Sequence, residues 1–354
     1  MEVLGMKSTI GTGPTRRVKV HTGFTCNEAC QFCYYRALVH EPPMPIGMLL
    51  DEVRLARLIG RIDIDFSGGE PSIQPGIEKA LALAKELRFR RINFITNGIA
   101  LAYEPYFKRL VEAGLNEVLF SLHGARPETH DYLVQRPGAF RAITKAMKLA
   151  RDYGLHLRTN TTVNALNYRE LPELAELVLK YEPENINFIF MNPWTTSDVN
   201  EKRLFVRYSD VMPYAIKALK VIEPHDVYFA LRYVPLCLVP EEYRPFVMTF
   251  HNRIMDMYEW DNLFSKFSED LAYEWIKTKK KEVDVLSAWQ RYIAKFRISM
   301  DDVGYDDGRY NIEFATVWHV KPRACESCKL RDVCDGLKRE YVDYFGADEV
   351  KPVG

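Results

Sequence analysis

Short apolar, β-branched runs recur through the first 193 residues, each ending in glycine, proline or small polar residues. They are 17–24 (RVKVHTGF), 62–71 (IDIDFSGGEP), 91–98 (RINFITNG), 117–124 (EVLFSLHG), 156–164 (HLRTNTTVN) and 185–193 (NINFIFMNP). Runs of this length and ending predict buried strands. Between them the period changes to that of a helix, as in 77–88 (IEKALALAKELR) and 140–154 (FRAITKAMKLARDYG). In the latter, Ile143, Met147, Ala150 and Tyr153 share one face, and Gly154 closes the helix. Strands alternating with helices imply right-handed crossovers and a parallel sheet. Six such βα units span residues 17–222.

Parallel barrels place their chemistry at the C-terminal ends of the strands. The residues there are Gly68, Gly69 and Glu70; Thr96 and Asn97; Ser121 and His123; and Asn160. The two glycines, lacking Cβ atoms, let backbone approach a ligand closely. Glu70 is a strand-end carboxylate; followed by Pro71, it is equally an acid at a helix N-terminus. Ser121, Asn160, Thr96 and Asn97 suit ligand contacts or turn and cap bonding. His123 suits a proton acceptor near neutral pH, or a strand-end histidine bonded to backbone.

Residues 241–300 carry no motif. The stretch 265–296, without glycine or proline, has a helical pattern rich in aromatics, among them Tyr273, Trp275, Trp289 and Tyr292. Such an insertion either folds over the barrel mouth and excludes water from it, or packs as support. The run 277–282 (KTKKKE) suits a solvated face.

The chain has 354 residues, which suits a barrel with an appendage. Its formal net charge is zero, so nucleic acid is not an expected partner. No apolar run is long enough to span a membrane, and the N-terminus lacks a secretory core.

The cysteines change the picture most. Cys26, Cys30 and Cys33 lie in CNEACQFC, a C-x3-C-x2-C run with Phe32 just before the last thiol. A closed zinc site takes four ligands. Three thiolates on a four-iron cluster instead leave one iron open. Cys325, Cys328 and Cys334 form C-x2-C-x5-C, and Cys237 lies in 232–240 (RYVPLCLVP), at the end of an apolar strand that follows the barrel. Three plus one gives four thiolates, enough for a closed second cluster or a structural zinc; Cys237 could also be an ordinary buried cysteine. Two thiolate sites favour a reducing compartment, and a cytoplasmic location is expected.

The cysteine run together with SGGEPS (67–72) resembles the radical SAM enzymes. The resemblance implies a partial (β/α)6 TIM-like barrel of α/β class. It also implies a [4Fe–4S] cluster on Cys26, Cys30 and Cys33, whose open iron is chelated by S-adenosylmethionine. One electron then yields a 5′-deoxyadenosyl radical that takes a hydrogen atom from the substrate. It assigns the S-adenosylmethionine amino group to GGEP, with ribose or carboxylate contacts at Ser121 and Asn160, then Thr96 and Asn97. Where related peptide-modifying members carry Asp in SLDG, this chain has His123.

The C-terminal cysteines are similar to a SPASM domain, in its reduced, twitch-like form with one auxiliary [4Fe–4S] cluster; Lys338 stands where that pattern has a further cysteine. The implied division is a lead-in (1–16), a core barrel (17–225) and an auxiliary-cluster domain (226–354) containing the insertion 241–300. The expected activity is oxidation, cross-linking or epimerisation of a peptide, with the second cluster as electron relay. Modification of a small molecule is the alternative, supported because only Met1–Thr25 precede the first motif, which leaves no room there for a leader-binding domain. An electron donor such as flavodoxin or ferredoxin is implied. A zinc-stabilised, non-catalytic binding protein is the remaining class.

Overall fold

The structure, a computed structural model, describes residues 2–3, 6–9, 14–191, 202–278, 281–295 and 318–354. Each of the six apolar runs forms a strand: β3 (Arg17–His21), β4 (Asp63–Ser67), β5 (Arg91–Thr96), β6 (Glu117–Ser121), β7 (His156–Val163) and β8 (Asn185–Phe190). Two short strands precede them, β1 (Glu2–Val3) and β2 (Met6–Ser8). Two follow, β9 (Tyr228–Arg232) and β10 (Val247–Met248). The sheet order is β1-β2-β9-β8-β7-β6-β5-β4-β3, and β2 through β3 along this path pair in parallel. The strand before Cys237 therefore does not merely follow the barrel. Its register with β8 and β2 makes β9 part of the same curled sheet, beyond residue 225. The lead-in contributes β2 to that sheet as well.

The helices are α1 (Ile46–Leu58), α2 (Ile77–Glu86), α3 (Glu104–Ala113), α4 (Pro127–Val134), α5 (Ala139–Asp152), α6 (Leu171–Leu179) and α7 (Tyr208–Ile222). They cover the outer face of the sheet. Strand residues such as Val18, Phe66, Phe94, Val118 and Phe188 join Ala80, Leu81, Phe107 and Leu219 in one core. The intervening strand residues face the barrel interior, and many of them are polar or charged. Arg17 faces Asp63; Asp65 lies beside Asn93, and Asn93 beside Glu117. Two rows higher, Ser121, Asn160 and Asn187 are register neighbours on β6, β7 and β8. Parallel strands buried on both faces are usually apolar throughout, so this interior requires internal ion pairs. Arg17 bonds both Glu117 oxygens at 3.0 Å and pairs with Asp65; Arg158 pairs with Glu117, and the Trp260 indole donates to Asp65 at 2.7 Å.

The insertion forms two helices, α8 (Asn262–Lys277) and α9 (Val285–Ala294). The break needs no glycine or proline, because the Asp284 side chain caps α9 by accepting from the Ser287 N–H at 2.6 Å. Helix α8 lies along β3, the edge strand. Ser265 and Ser268, three residues apart and so on one helix face, accept the N–H groups of Lys19 (3.1 Å) and His21 (2.7 Å). An open sheet edge is a liability, and this helix covers it. The insertion thus acts as support along β3, with Tyr273 reaching Phe24 (ring centroids 4.7 Å apart) beside the cysteine loop. The short strands β11 (His319–Val320) and β12 (Leu337–Lys338) pair with each other, and α10 (Arg339–Phe345) follows. No helix among the described residues is long and apolar enough to cross a membrane.

Ser268 also hydrogen-bonds Glu52 on α1. Burial pushes the Glu52 carboxyl up to about 8 from an ordinary 4.5, against the opposing pull of the Ser268 bond. The folded protein keeps a proton that the unfolded chain releases, so this contribution is full below about pH 4.5 and is lost as pH rises toward 8. Glu52→Gln is expected to remove that slope. Its melting temperature should fall less than wild type between pH 5 and pH 8, and parallel falls would refute the assignment.

Candidate functional site

After β3 the chain turns at Gly23 (φ 98°) and enters the loop that carries Cys26, Cys30 and Cys33. Backbone bonds hold this loop from three directions. Gly69 and Glu70 donate to the carbonyls of Gly23 and Thr25, both at 2.8 Å. Cys26 donates to Val39 at 3.0 Å. Ala29 and Gln31 donate to Val134 and Leu133 at the end of α4, at 3.3 and 2.9 Å. What Gly68 and Gly69 approach closely is this loop. A Cβ on Gly69 would stand 2.0 Å from the Thr25 oxygen, and one on Gly68 2.4 Å from the Gly23 oxygen.

The three thiols are half-buried. A tight turn joins two of them, with the Cys33 N–H donating to the Cys30 carbonyl at 3.0 Å. The Cys26 sulfur accepts from the Glu28 N–H at 3.4 Å, and the Glu28 carboxylate faces Cys30 at 3.4 Å. Burial, then the nearby Glu70 charge, pushes the Cys26 thiol up to about 12, and burial raises Cys30 well above its usual value. Three half-buried thiols beside two carboxylates are a poor place for free thiolates. They suit a cationic metal cluster, which supplies the missing positive charge. Glu28, between the first two cysteines, was not singled out in the sequence, where it has the appearance of a surface acid.

Glu70 meets both of its sequence-level descriptions. As a cap it accepts from the Ser72 N–H (3.0 Å) and hydroxyl (2.5 Å). It also accepts from the Thr96 hydroxyl at 2.6 Å and the Asn97 N–H at 2.8 Å, so its carboxylate ties the end of β4 to the end of β5. Asn97 then donates to Asn27 in the cysteine loop at 2.6 Å. Glu70, Thr96 and Asn97 are therefore one cluster against Cys26. The Glu70 carboxylate has little acceptor capacity left for a ligand. Ser121 and Asn160 stand side by side on the inner face, joined there by Asn187, which lies too deep in its apolar run to attract notice.

His123 lies over Phe32, ring centroids 4.6 Å apart. Its Nδ1 accepts from the Thr162 N–H at 3.1 Å, and its carbonyl accepts from Asn167 at 2.8 Å. Burial, with His130 adding to it, lowers its pKa well below the usual value. A neutral ring whose Nδ1 accepts carries its proton on Nε2. His123 is thus a backbone-bonded histidine that presents a donor.

The second set of cysteines converges. Cys237, in the turn Leu236–Leu238, and Cys325, Cys328 and Cys334 line one open hollow with Pro235 and Val350. The Cys334 sulfur accepts from the Leu236 and Gly336 amides, each at 3.4 Å. Among the described residues no three Cys, His, Asp or Glu side chains close tightly enough for a single metal ion. Lys338, in place of a further cysteine, is buried on β12 with its ammonium pushed down to about 7 by burial.

Residues 20–178 match the Radical SAM superfamily. The mitochondrial GTP 3′,8-cyclase of Arabidopsis thaliana is 30% identical over 207 residues, 56% of this chain and 51% of that protein. The Fe-coproporphyrin III synthase of Methanosarcina barkeri is 31% identical over 158 residues, 43% of this chain and 38% of that protein. The chain spans about half or less of the length of these two relatives. Streptococcus suis SuiB bound to S-adenosylmethionine superposes with a TM-score of 0.58 at 15% identity, over 97% of this chain and 77% of that one. HydG, a maturase of the [FeFe]-hydrogenase, gives 0.53 at 13% identity, over 87% and 83%. These two likenesses show a shared fold. With three thiols in one half-buried loop at the mouth of a half-barrel, residues 20–178 form a radical SAM domain, of a superfamily whose enzymes work with S-adenosylmethionine and a [4Fe–4S] cluster.

Proposed function

We propose that this enzyme oxidises or cross-links a peptide, using one cluster to start the reaction and a second to accept an electron at its end. The carrying observation is that Cys237, Cys325, Cys328 and Cys334 line one hollow, although 88 residues of sequence separate the first two. S-adenosylmethionine on the first cluster supplies a hydrogen-abstracting radical, and a fully ligated second cluster supplies one-electron exchange. Cys26, Cys30 and Cys33 hold the first cluster. Backbone of Gly68–Glu70 binds the amino end of S-adenosylmethionine, with Glu70 fixing Thr96 and Asn97 beneath it. Ser121 and Asn160 offer a hydroxyl and an amide to its other polar groups. Phe32 and His123 wall that side, His123 as a donor. In this reading the core, expected over 17–225, runs on through β9 to Arg232, and the remainder to residue 354 is a twitch-like appendage. Reducing equivalents enter from a flavodoxin or ferredoxin.

Support for a peptide comes from SuiB, whose structure bound to precursor peptide SuiA superposes over 98% of this chain, appendage included. A second reading, a small cyclic metabolite, draws on the sequence relatives. These include the GTP cyclase, the coproporphyrin synthase and a pterin dimethyltransferase of Methanocaldococcus jannaschii. Iron, sulfide and zinc should be measured on anaerobically purified protein beside a Cys26/Cys30/Cys33→Ala triple variant. About eight irons falling to about four is the expected result. About four falling to none, with zinc retained, would overturn the second cluster and the oxidation with it. Stimulation of S-adenosylmethionine cleavage by peptides, against purine nucleotides and pterins, then separates the two substrate classes.

A further inference from the structure

We propose that the strap Glu349–Val353 is a positioning element that raises the reduction potential of the second cluster by donating backbone amides to two of its thiolates. This rests on the reading of Cys237, Cys325, Cys328 and Cys334 as a cluster site. The Val353 N–H donates to the Cys328 sulfur at 3.3 Å. The Lys351 backbone N–H lies near the Cys237 thiol and favours its thiolate form. Residues 351 and 353 thus each direct an amide at a thiol that lines the hollow. Pro352 stands between them, where its missing N–H costs no bond to sulfur.

The strap is pinned at both ends. Glu349 accepts from the Ser209 N–H at 2.8 Å and from the Tyr341 hydroxyl, and Asp348 pairs with Arg207 at 3.1 Å. At the far end the Lys329 N–H donates to the Val353 carbonyl at 2.9 Å. Val350, buried between, lines the hollow itself. These contacts fix the two donors before any electron arrives. A reduced cluster carries one more negative charge, spread over its sulfurs, so fixed donors stabilise the reduced form more than the oxidised one. Cys334 receives its own two amides from outside the strap, which divides the donors between two separately variable segments.

The experiment uses the Cys26/Cys30/Cys33→Ala background, in which only the second cluster contributes. Val353→Pro and Lys351→Pro each delete one amide, and Val353→Ala keeps it. Potentiometric titration followed by electron paramagnetic resonance is expected to give more negative midpoints for both proline variants. At the background midpoint the reduced-to-oxidised ratio should drop about fivefold for each lost bond. Val353→Ala should not move. Full iron with unshifted midpoints in both proline variants overturns the proposal. Loss of the cluster in both also overturns it, in favour of a purely holding role; loss in one leaves the other variant to decide. Background protein that binds zinc or no iron fails differently, because it removes the cluster reading itself.

Discussion

Gly69→Ala is expected to abolish the first cluster while leaving the barrel folded. The new methyl would stand 2.0 Å from the Thr25 carbonyl oxygen and 2.5 Å from that of Phe24. Both obstacles are backbone, so no rotamer change relieves the clash; the cysteine loop must move away from β4. The segment after β4 grips that loop through Gly69 to Gly23 and Glu70 to Thr25, at 2.8 Å each, and Cys26 follows Thr25 directly. Displacing the first thiol by an ångström takes it out of ligating range. The expected readings are a loss of about four irons per chain and a fall of about 100-fold or more in S-adenosylmethionine cleavage. Circular dichroism should be unchanged. Gly47→Ala is the control, since nothing lies within 4 Å of its added carbon. Wild-type iron and cleavage in Gly69→Ala would mean that the loop has slack, and that glycine there serves some other need.

Gly69 also illustrates what the sequence discloses and what it withholds. A glycine pair after a strand announces a close approach but not the thing approached. Here it is Thr25 and Gly23, more than forty residues upstream, a contact that exists only once β3 and β4 pair. The strands themselves were legible, because apolar residues on the helix-facing side repeat with period two and each run ends in turn residues. Strand β9 (YFALR) had the same local signal. Its membership in the barrel is a pairing with Asn185–Ile189, which no local pattern encodes. Helix α8 was legible as a helix, yet its purpose was not. Ser265 and Ser268 have the appearance of ordinary polar positions until the edge of β3 supplies unpaired amides for them. For Cys237, counting thiols suggested a partner set; a common hollow across a long insertion is a tertiary fact.

The charged interior was equally hidden, and it carries the other large expected effect. Arg17, Asp65, Glu117 and Arg158 carry charges whose partners no local pattern reveals, and all four are at most 2% exposed. Burial opposes the Glu117 charge, but Arg17 and Arg158 outweigh it and hold the carboxyl down at about 2, against an ordinary 4.5. This stabilisation is therefore present above about pH 4.5 and is lost as pH falls toward 2. Glu117→Gln keeps the shape and removes the charge, leaving two buried guanidiniums to share Asp65. Breaking a buried pair on one side typically costs about 3–5 kcal/mol, because the remaining charge has no water to turn to. Denaturant unfolding at pH 7 should show a loss of that size, and the variant should lack the wild-type decline between pH 4.5 and 2. Asp152→Asn, which breaks exposed pairs to Lys148 and Arg151, should leave the unfolding midpoint close to wild type, because solvent screens such pairs. Glu117 lies at the start of β6, the strand end opposite the cysteine loop, so any Glu117→Gln protein that folds should keep its full iron. A variant that lost iron at unchanged stability would instead make this network part of the chemistry above it.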